Sequence, residues 1–194
     1  MRAFFVALGA LATGSSLLAN IGPAGFHEFN YNRVFFETGT YGGSGIKAAL
    51  QAGFPVVHSI DIEANSYRDA QRMFKGYPQV HLHRGDSGRD LWKVIRYIHE
   101  PITFWLDAHL GNEVPGRTSH TAVARELQQI ARHPRKDHTI LIDDMHTTGG
   151  PLMDYLTRAD LERLVLQINP NYKIRYIPGG NDGEYPENIL VATP

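Results

Sequence analysis

From Arg33 to the C-terminus, short apolar runs alternate with helix-like segments, and this alternation admits few architectures. "VFFET" is followed by "SGIKAALQAG", "VVHSIDI" by "NSYRDAQRMFKGY", and "VHLHRGD" by "SGRDLWKVIRYIHE". "ITFWLDA" then leads to "SHTAVARELQQIARH", and "HTILIDD" to "LTRADLERLVLQIN". Two last runs, "YKIRYIP" and "NILVATP", flank the turn-rich "GGNDGEYPE". Strand–helix units in series predict a parallel sheet covered on both faces, closed by a terminal strand pair. The runs read as continuously apolar, as buried parallel strands do. With 194 residues there is room for one α/β domain with a real core. Residues 31–194 are expected to form it, preceded by an apolar segment over 1–30. No internal repeat, low-complexity tract or linker interrupts the series.

Composition narrows the function. Hydrophobic residues make up 42% and charged residues 20%, which is globular rather than disordered. Nineteen Lys and Arg stand against 20 Asp and Glu, a net charge of -1, so the basic excess of a nucleic-acid-binding surface is missing. Cysteine is absent, which removes disulfides, thiolate catalysis and thiolate-bound zinc without fixing the compartment.

The N-terminus reads two ways. "MRAFFVALGALATGSSLLAN" has a basic Arg2, an apolar run from Ala3 to Ala12 and a small residue, Ala19, at a possible cleavage position, which fits a signal peptide. The alternative is an apolar helix packed on the domain or on a partner, or anchoring the domain to a membrane. The run is short for a transmembrane span.

Ionisable residues recur where the strands stop. The first ends at Glu37, the second near Asp61 and Glu63, the third at Asp86, the fourth at Asp107 and His109, the fifth at Asp143 and Asp144. Parallel α/β sheets bind ligands beyond the carboxyl ends of their strands, so these groups converge on one edge. The bland alternative is helix capping. It serves a single Asp well, but it fits "LDAH" and "IDDMH" poorly, because several ionisable groups crowd one strand end there.

A glycine-rich turn separates the first strand from its helix: "ETGTYGGSG", Glu37 to Gly45. Such a turn suits a ligand resting against backbone N–H groups. The glycines stand at 39, 42, 43 and 45, out of frame for a phosphate loop and for a dinucleotide fingerprint. An acid at the head of the turn would repel a pyrophosphate. It suits a ligand carrying an ammonium and a sulfonium.

"ETGTYGGS" resembles the first motif of class I S-adenosylmethionine-dependent methyltransferases, above all the branch with macrocin-type sugar O-methyltransferases and cephalosporin-hydroxylase-like proteins. "SIDIE", "RGDS", "FWLDAH" and "ILIDD" resemble the second to fifth strand ends of that fold, in register from Arg33 to Asp144. The resemblance implies a Rossmann-like α/β sandwich, mostly parallel with a C-terminal antiparallel pair. It places Glu37, Gly39, Thr40 and Gly43 about the methionine part of the cofactor, with Asp61 on the ribose and Asp86 and Ser87 beside the adenine. Asp107 is expected near both cofactor and chemistry. Asp107, Asp143 and Asp144 match positions that hold a divalent metal in the sugar O-methyltransferase branch. A site of three carboxylates favours Mg²⁺ or Mn²⁺.

His109 stands where that branch has an acid. It is the expected base alongside Asp107, or else a metal ligand or an orienting partner of Asp107; His146 is a second candidate. Glu126, on the next helix, is a further candidate for reaching the metal. Arg117 and His120 would serve an anionic substrate, and the loop-like first half of "LGNEVPGRTSHTAVAREL" (Leu110 to Leu127), with Gly111, Pro115 and Gly116, would cover the acceptor. Tyr31 to Arg33 precede the first strand and are a further candidate for cofactor contact; Trp105 is read as core. The implied activity is O-methylation of a small hydroxylated acceptor, such as a sugar or secondary metabolite, in the cytoplasm or at an inner membrane face. Two other readings stand beside it. A metal-dependent hydrolase would use Asp107, His109, Asp143, Asp144 and His146 but leave the glycine turn and Asp61 unemployed. A non-catalytic relative would bind the cofactor or a partner only.

Overall fold

The computed structural model describes residues 25–109, 119–180 and 184–194. The N-terminal run and the expected acceptor loop, with Arg117, lie outside these residues. After a 3-10 turn at Gly25–Phe29 the units follow in order. They are β1 (Val34–Thr38), α1 (Ser44–Gln51), β2 (Val56–Asp61), α2 (Ala64–Met73), β3 (Val80–Arg84) and α3 (Ser87–Ile95). β4 (Ile102–Leu106), α4 (Val123–Ala131), β5 (Thr139–Ile142) and α5 (Arg158–Ile168) follow, then β6 (Lys173–Gly179) and β7 (Tyr185–Thr193).

The strands form one seven-stranded sheet in the order β3-β2-β1-β4-β5-β7-β6. β1 to β5 are parallel. β7 is antiparallel to both β5 and β6, so it inserts between them. Successive strand residues face opposite sides. Phe36, Phe104 and Ile140 join the core layer of α3, α4 and α5, with Leu91, Leu127 and Leu161. Phe35, Trp105 and Leu141 join Ile46 and Ala49 of α1, Ala70 of α2 and Phe26 and Phe29 of the 3-10 turn. Burial of both faces explains the unbroken apolar runs of β1, β4 and β5.

β3 differs from the expectation of a fully buried strand. It lies on the sheet edge, and "VHLHR" is half-buried to exposed along its length. Tyr31 to Arg33 also lie apart from any ligand edge. Tyr31 Oη is 2.6 Å from Thr139 Oγ1, and Asn32 Nδ2 donates to Thr103 Oγ1 at 3.1 Å. This segment therefore pins the N-terminal ends of β4 and β5. Trp105 is fully buried, as expected.

Candidate active site

The strand order reverses between β1 and β4, and a crevice opens there beyond their carboxyl ends. It is a cleft of about 400 Å³. Gly39, Asp61, Asp86, Ser87, Asp107 and His109 are among the residues that line it.

The glycine turn is shaped by close contacts. Gly39 has φ +86°, and a Cβ there would lie 2.6 Å from the Asp107 carbonyl oxygen. The chain leaving β1 thus passes against β4 at a distance only glycine allows. Gly39 N donates to the Ile60 carbonyl and Asp107 N to the Thr38 carbonyl, so the turn is tied to both neighbouring strands. Asp61 holds it from β2: Oδ2 accepts from Tyr41 N at 2.9 Å and Oδ1 from Glu63 N at 2.7 Å. Each oxygen keeps a lone pair for a ligand hydroxyl.

Glu37, Thr40 and Gly43 do not line the cleft. Glu37 is buried beneath the turn and accepts from Ser59 Oγ at 2.6 Å, while Thr40 Oγ1 lies 2.6 Å from the same hydroxyl. Burial lifts the Glu37 carboxyl well above its ordinary pKa against the opposing Ser59 hydrogen bond, and the Asp107 and Asp61 charges lift it further. Gly43, at φ +73°, packs against the Phe74 ring of the segment after α2. These residues form the floor and hinge of the turn. Ser59 was not among the expected residues, although it is a polar interruption in the apolar β2 run.

At the other end of the cleft, Asp86 stands at the N-cap position of α3, without a side-chain capping bond, and Ser87 opens the helix. Gln129 of α4 fixes that end by donating from Nε2 to the Ser87 carbonyl at 2.8 Å.

Asp107, His109 and Asp144 come together: one ligand atom from each lies within 4.8 Å of the other two. His109 Nδ1 is 3.4 Å from Asp107 Oδ1 and 3.6 Å from Asp144 Oδ2, ion-pair contacts rather than aligned hydrogen bonds. Both ring nitrogens of His109 are buried without a hydrogen-bond partner among the described residues. Burial opposes its charge, yet the Asp107, Asp144 and Asp143 carboxylates outweigh this and raise its pKa. Burial likewise raises Asp107, with the Asp144 charge adding to it and His109 opposing. Two carboxylates and an orphaned imidazole form a donor set that suits a divalent cation.

Asp143 takes a different place from its expected one. It is fully buried and outside that three-residue group. Its Oδ1 accepts from Asp144 N at 2.7 Å and from Asn188 Nδ2, on β7, at 2.9 Å. Oδ2 has no partner. Burial, then the charges of Asp107 and Asp144, raise its pKa well above the ordinary value. The backbone turns sharply at Asp144, with φ 58° and ψ 33°, which sends successive carboxyls in different directions. Asn188 Oδ1 in turn accepts from His146 N at 3.2 Å and from His146 Nδ1. His146 stacks on Tyr185 with ring centroids 4.1 Å apart. Asn188 and Tyr185 escaped the sequence reading because β7 meets this site only through its non-local insertion beside β5.

Glu126 is fully buried on α4, and neither carboxyl oxygen has a hydrogen-bond partner of good geometry among the described residues. Burial raises its pKa to about 7, while Ser87, Thr38 and the His109 charge pull it down. His120 lines the cleft, held by its N–H to Asp154 Oδ1 at 2.7 Å. Its neighbour Thr121 bridges to His109 in antiparallel fashion.

No family model matches this chain, and no curated protein matches it. Solved structures do. SMU.1697c from Streptococcus mutans, a candidate methyltransferase solved in complex with SAH, is 14% identical with a TM-score of 0.52, over 87% of this chain and 95% of that one. Streptomyces venezuelae DesVI is 11% identical with a TM-score of 0.54, over 88% and 87%. Human N-acetylserotonin methyltransferase, solved with SAM, is 12% identical with a TM-score of 0.53, over 84% of this chain and 47% of that one. The fold is therefore that of class I S-adenosylmethionine-dependent methyltransferases, a mixed sheet with a C-terminal antiparallel pair. Among the described residues no helix is long and apolar enough to cross a membrane.

Proposed function

We propose that this protein is an S-adenosylmethionine-dependent methyltransferase acting on oxygen in a small hydroxylated acceptor, with a divalent cation at Asp107, His109 and Asp144, where the two carboxylates favour Mg²⁺. The observation that carries the reading is one cleft lined from end to end by the glycine turn, the Asp61 carboxylate and the Asp107–His109–Asp144 group. A hydrolase leaves the first two without a task.

Gly39 lets the cofactor approach the backbone, Asp61 receives the ribose hydroxyls, and Asp86 and Ser87 border the adenine. Glu37, Thr40 and Gly43 act from beneath by shaping the turn. Asp107 and Asp144, with His109, would hold the cation; Asp143 would serve it by fixing Asn188 and the Asp144 backbone. A bound cation supplies Lewis acidity that makes the acceptor hydroxyl easier to ionise. An imidazole that ligates the cation has no second lone pair, so in this arrangement the carboxylate of Asp107, which keeps one when ligated, takes the acceptor proton. The acceptor oxygen bonds to the methyl carbon as the carbon–sulfur bond breaks, and the electron pair stays on sulfur. Alignment in the cleft contributes much of the rate. Residues 31–194 make up the catalytic domain in this reading, and cofactor supply places it inside the cell.

Calorimetric titration with S-adenosylmethionine, with and without Mg²⁺ and after chelation, tests the proposal. Saturable binding that survives chelation and is lost in Asp61→Ala is expected. A folded chain that binds neither S-adenosylmethionine nor its demethylated product under any of these conditions overturns it.

A further inference from the structure

Three imidazoles gather on the outer strand pair, away from the cleft. His58 lies on β2, and His81 and His83 lie on β3. None lines the cleft of the candidate active site. His58 is in register with His81, and His81 and His83 are two residues apart, so all three project from one face. The row explains their setting. Phe104, Phe36, His58 and His81 are successive partners across β4, β1, β2 and β3. The phenyl rings are fully buried, His58 is half-buried and His81 is exposed. The apolar row gives way to imidazole where the core layer ends.

The rings are ordered against each other. His58 stacks parallel to Phe36 at 5.5 Å between centroids and 1° between planes. His58 and His83 are within 6° of parallel, and His81 lies 4.8 Å from His58. His58 Nδ1 and His83 Nε2 face each other at 3.0 Å. No carboxylate or backbone group among the described residues hydrogen-bonds any of the three rings. Two imidazole nitrogens bound to one zinc ion are about 3.3 Å apart, from Zn–N bonds of about 2.0–2.1 Å in tetrahedral geometry. The observed pair is close to that spacing, with the ion taking the place of the shared proton. His81 does not converge with the other two as it stands; its exposed ring, stacked 4.8 Å from His58, has to turn to join them.

We propose that His58 and His83, with His81 as a third ligand, form a site for a borderline transition-metal ion of the Zn²⁺, Ni²⁺ or Cu²⁺ class at the β2–β3 edge. Imidazole donors select such ions, whereas the carboxylate-rich group in the cleft selects Mg²⁺ or Mn²⁺. The two sites thus separate by ligand chemistry as well as by position.

The test is calorimetric titration of the untagged full chain with Zn²⁺ in an Asp107→Asn, His109→Gln, Asp144→Asn background, which takes the imidazole and both carboxylates out of the cleft group. One ion per chain is expected. His58→Gln and His83→Gln should each weaken it on the order of tenfold or more, and exposed His81→Gln by less, because it gives up the third ligand only. Circular dichroism establishes that each variant is folded. A second readout needs no variant: Zn²⁺ should slow diethyl pyrocarbonate modification at these three histidines, measured by peptide mass spectrometry. Absence of Zn²⁺ binding in this background overturns the proposal. So does binding that is indifferent to all three substitutions, or Zn²⁺ that protects none of the three rings.

Discussion

A Cβ placed on Gly45 would lie 1.8 Å from Glu37 Oε1, so the buried carboxyl of β1 occupies the space above the second residue of α1. Helix propensity alone favours Gly45→Ala by about 1 kcal/mol. The buried clash opposes it at about 1–3 kcal/mol. Because Glu37 is also held by Ser59, the clash should win and Gly45→Ala should lower stability in urea titration. Glu37→Ala should recover most of that loss in the double variant, giving a coupling on the order of 1 kcal/mol. A stabilised Gly45→Ala single variant would show that the carboxyl swings aside freely.

Asn188 joins Asp143 to His146, and both sit beside Asp144. It is a positioning residue in the proposed metal site. Asn188→Ala leaves the buried Asp143 carboxyl with one fewer donor and frees the His146 ring. Mg²⁺ or Mn²⁺ affinity should fall about 10–100-fold, as is usual when an outer partner of a metal ligand is lost. S-adenosylmethionine affinity measured in chelator should hold, since Asn188 does not line the cleft. Equal loss of both would mean that the substitution collapses the β5–β7 junction.

Much of this fold was legible because its signals are local. Apolar runs, turns and strand-end acids occur in chain order, and a parallel α/β sheet arranges them in a nearly forced way. What stayed hidden depends on distant pairing or on a single backbone angle. Asp143 and Asp144 look equivalent in "IDD", and only the left-handed backbone at Asp144 sends one carboxyl into the cleft and leaves the other buried against β7. His109 showed itself as an ionisable group at a strand end, but its orphaned nitrogens appear only in the fold. The β3 run looked buried because valine and leucine mask its edge position. The histidines interleaved with them carry the sign of exposure.

Glu126 should make stability depend on pH. Its folded pKa, about 7, lies above the ordinary value of 4.5. The folded state therefore holds a proton that the unfolded chain releases first. Its stabilising contribution is complete below 4.5 and is lost as pH rises through about 7. In metal-free buffer, wild type should lose up to about 3 kcal/mol relative to Glu126→Gln between those limits, from about 1.4 kcal/mol per pKa unit. Urea titrations of both proteins at acid and mildly alkaline pH give the difference directly. Parallel stability curves would mean that water or a neighbour satisfies the carboxylate in solution.

Asp144 combines a charge with a strained backbone, and substitutions can separate the two. Its φ of 58° lies in the left-handed region, which Asn and Gly tolerate and Ala does not. Asp144→Asn keeps the backbone preference and the side-chain shape while removing the charge. Stability should then change by less than about 0.5 kcal/mol. Asp144→Ala should cost about 1–2 kcal/mol, and Asp144→Gly should recover most of that by relieving the left-handed strain. Metal binding should follow the other property. All three variants lack the carboxylate, so all three should lose most Mg²⁺ affinity in calorimetry whatever their stability. Retained Mg²⁺ binding in Asp144→Asn would remove Asp144 from the ligand set and leave Asp107 and His109 in need of a third donor, for which the buried Oδ2 of Asp143, without a partner among the described residues, is a candidate.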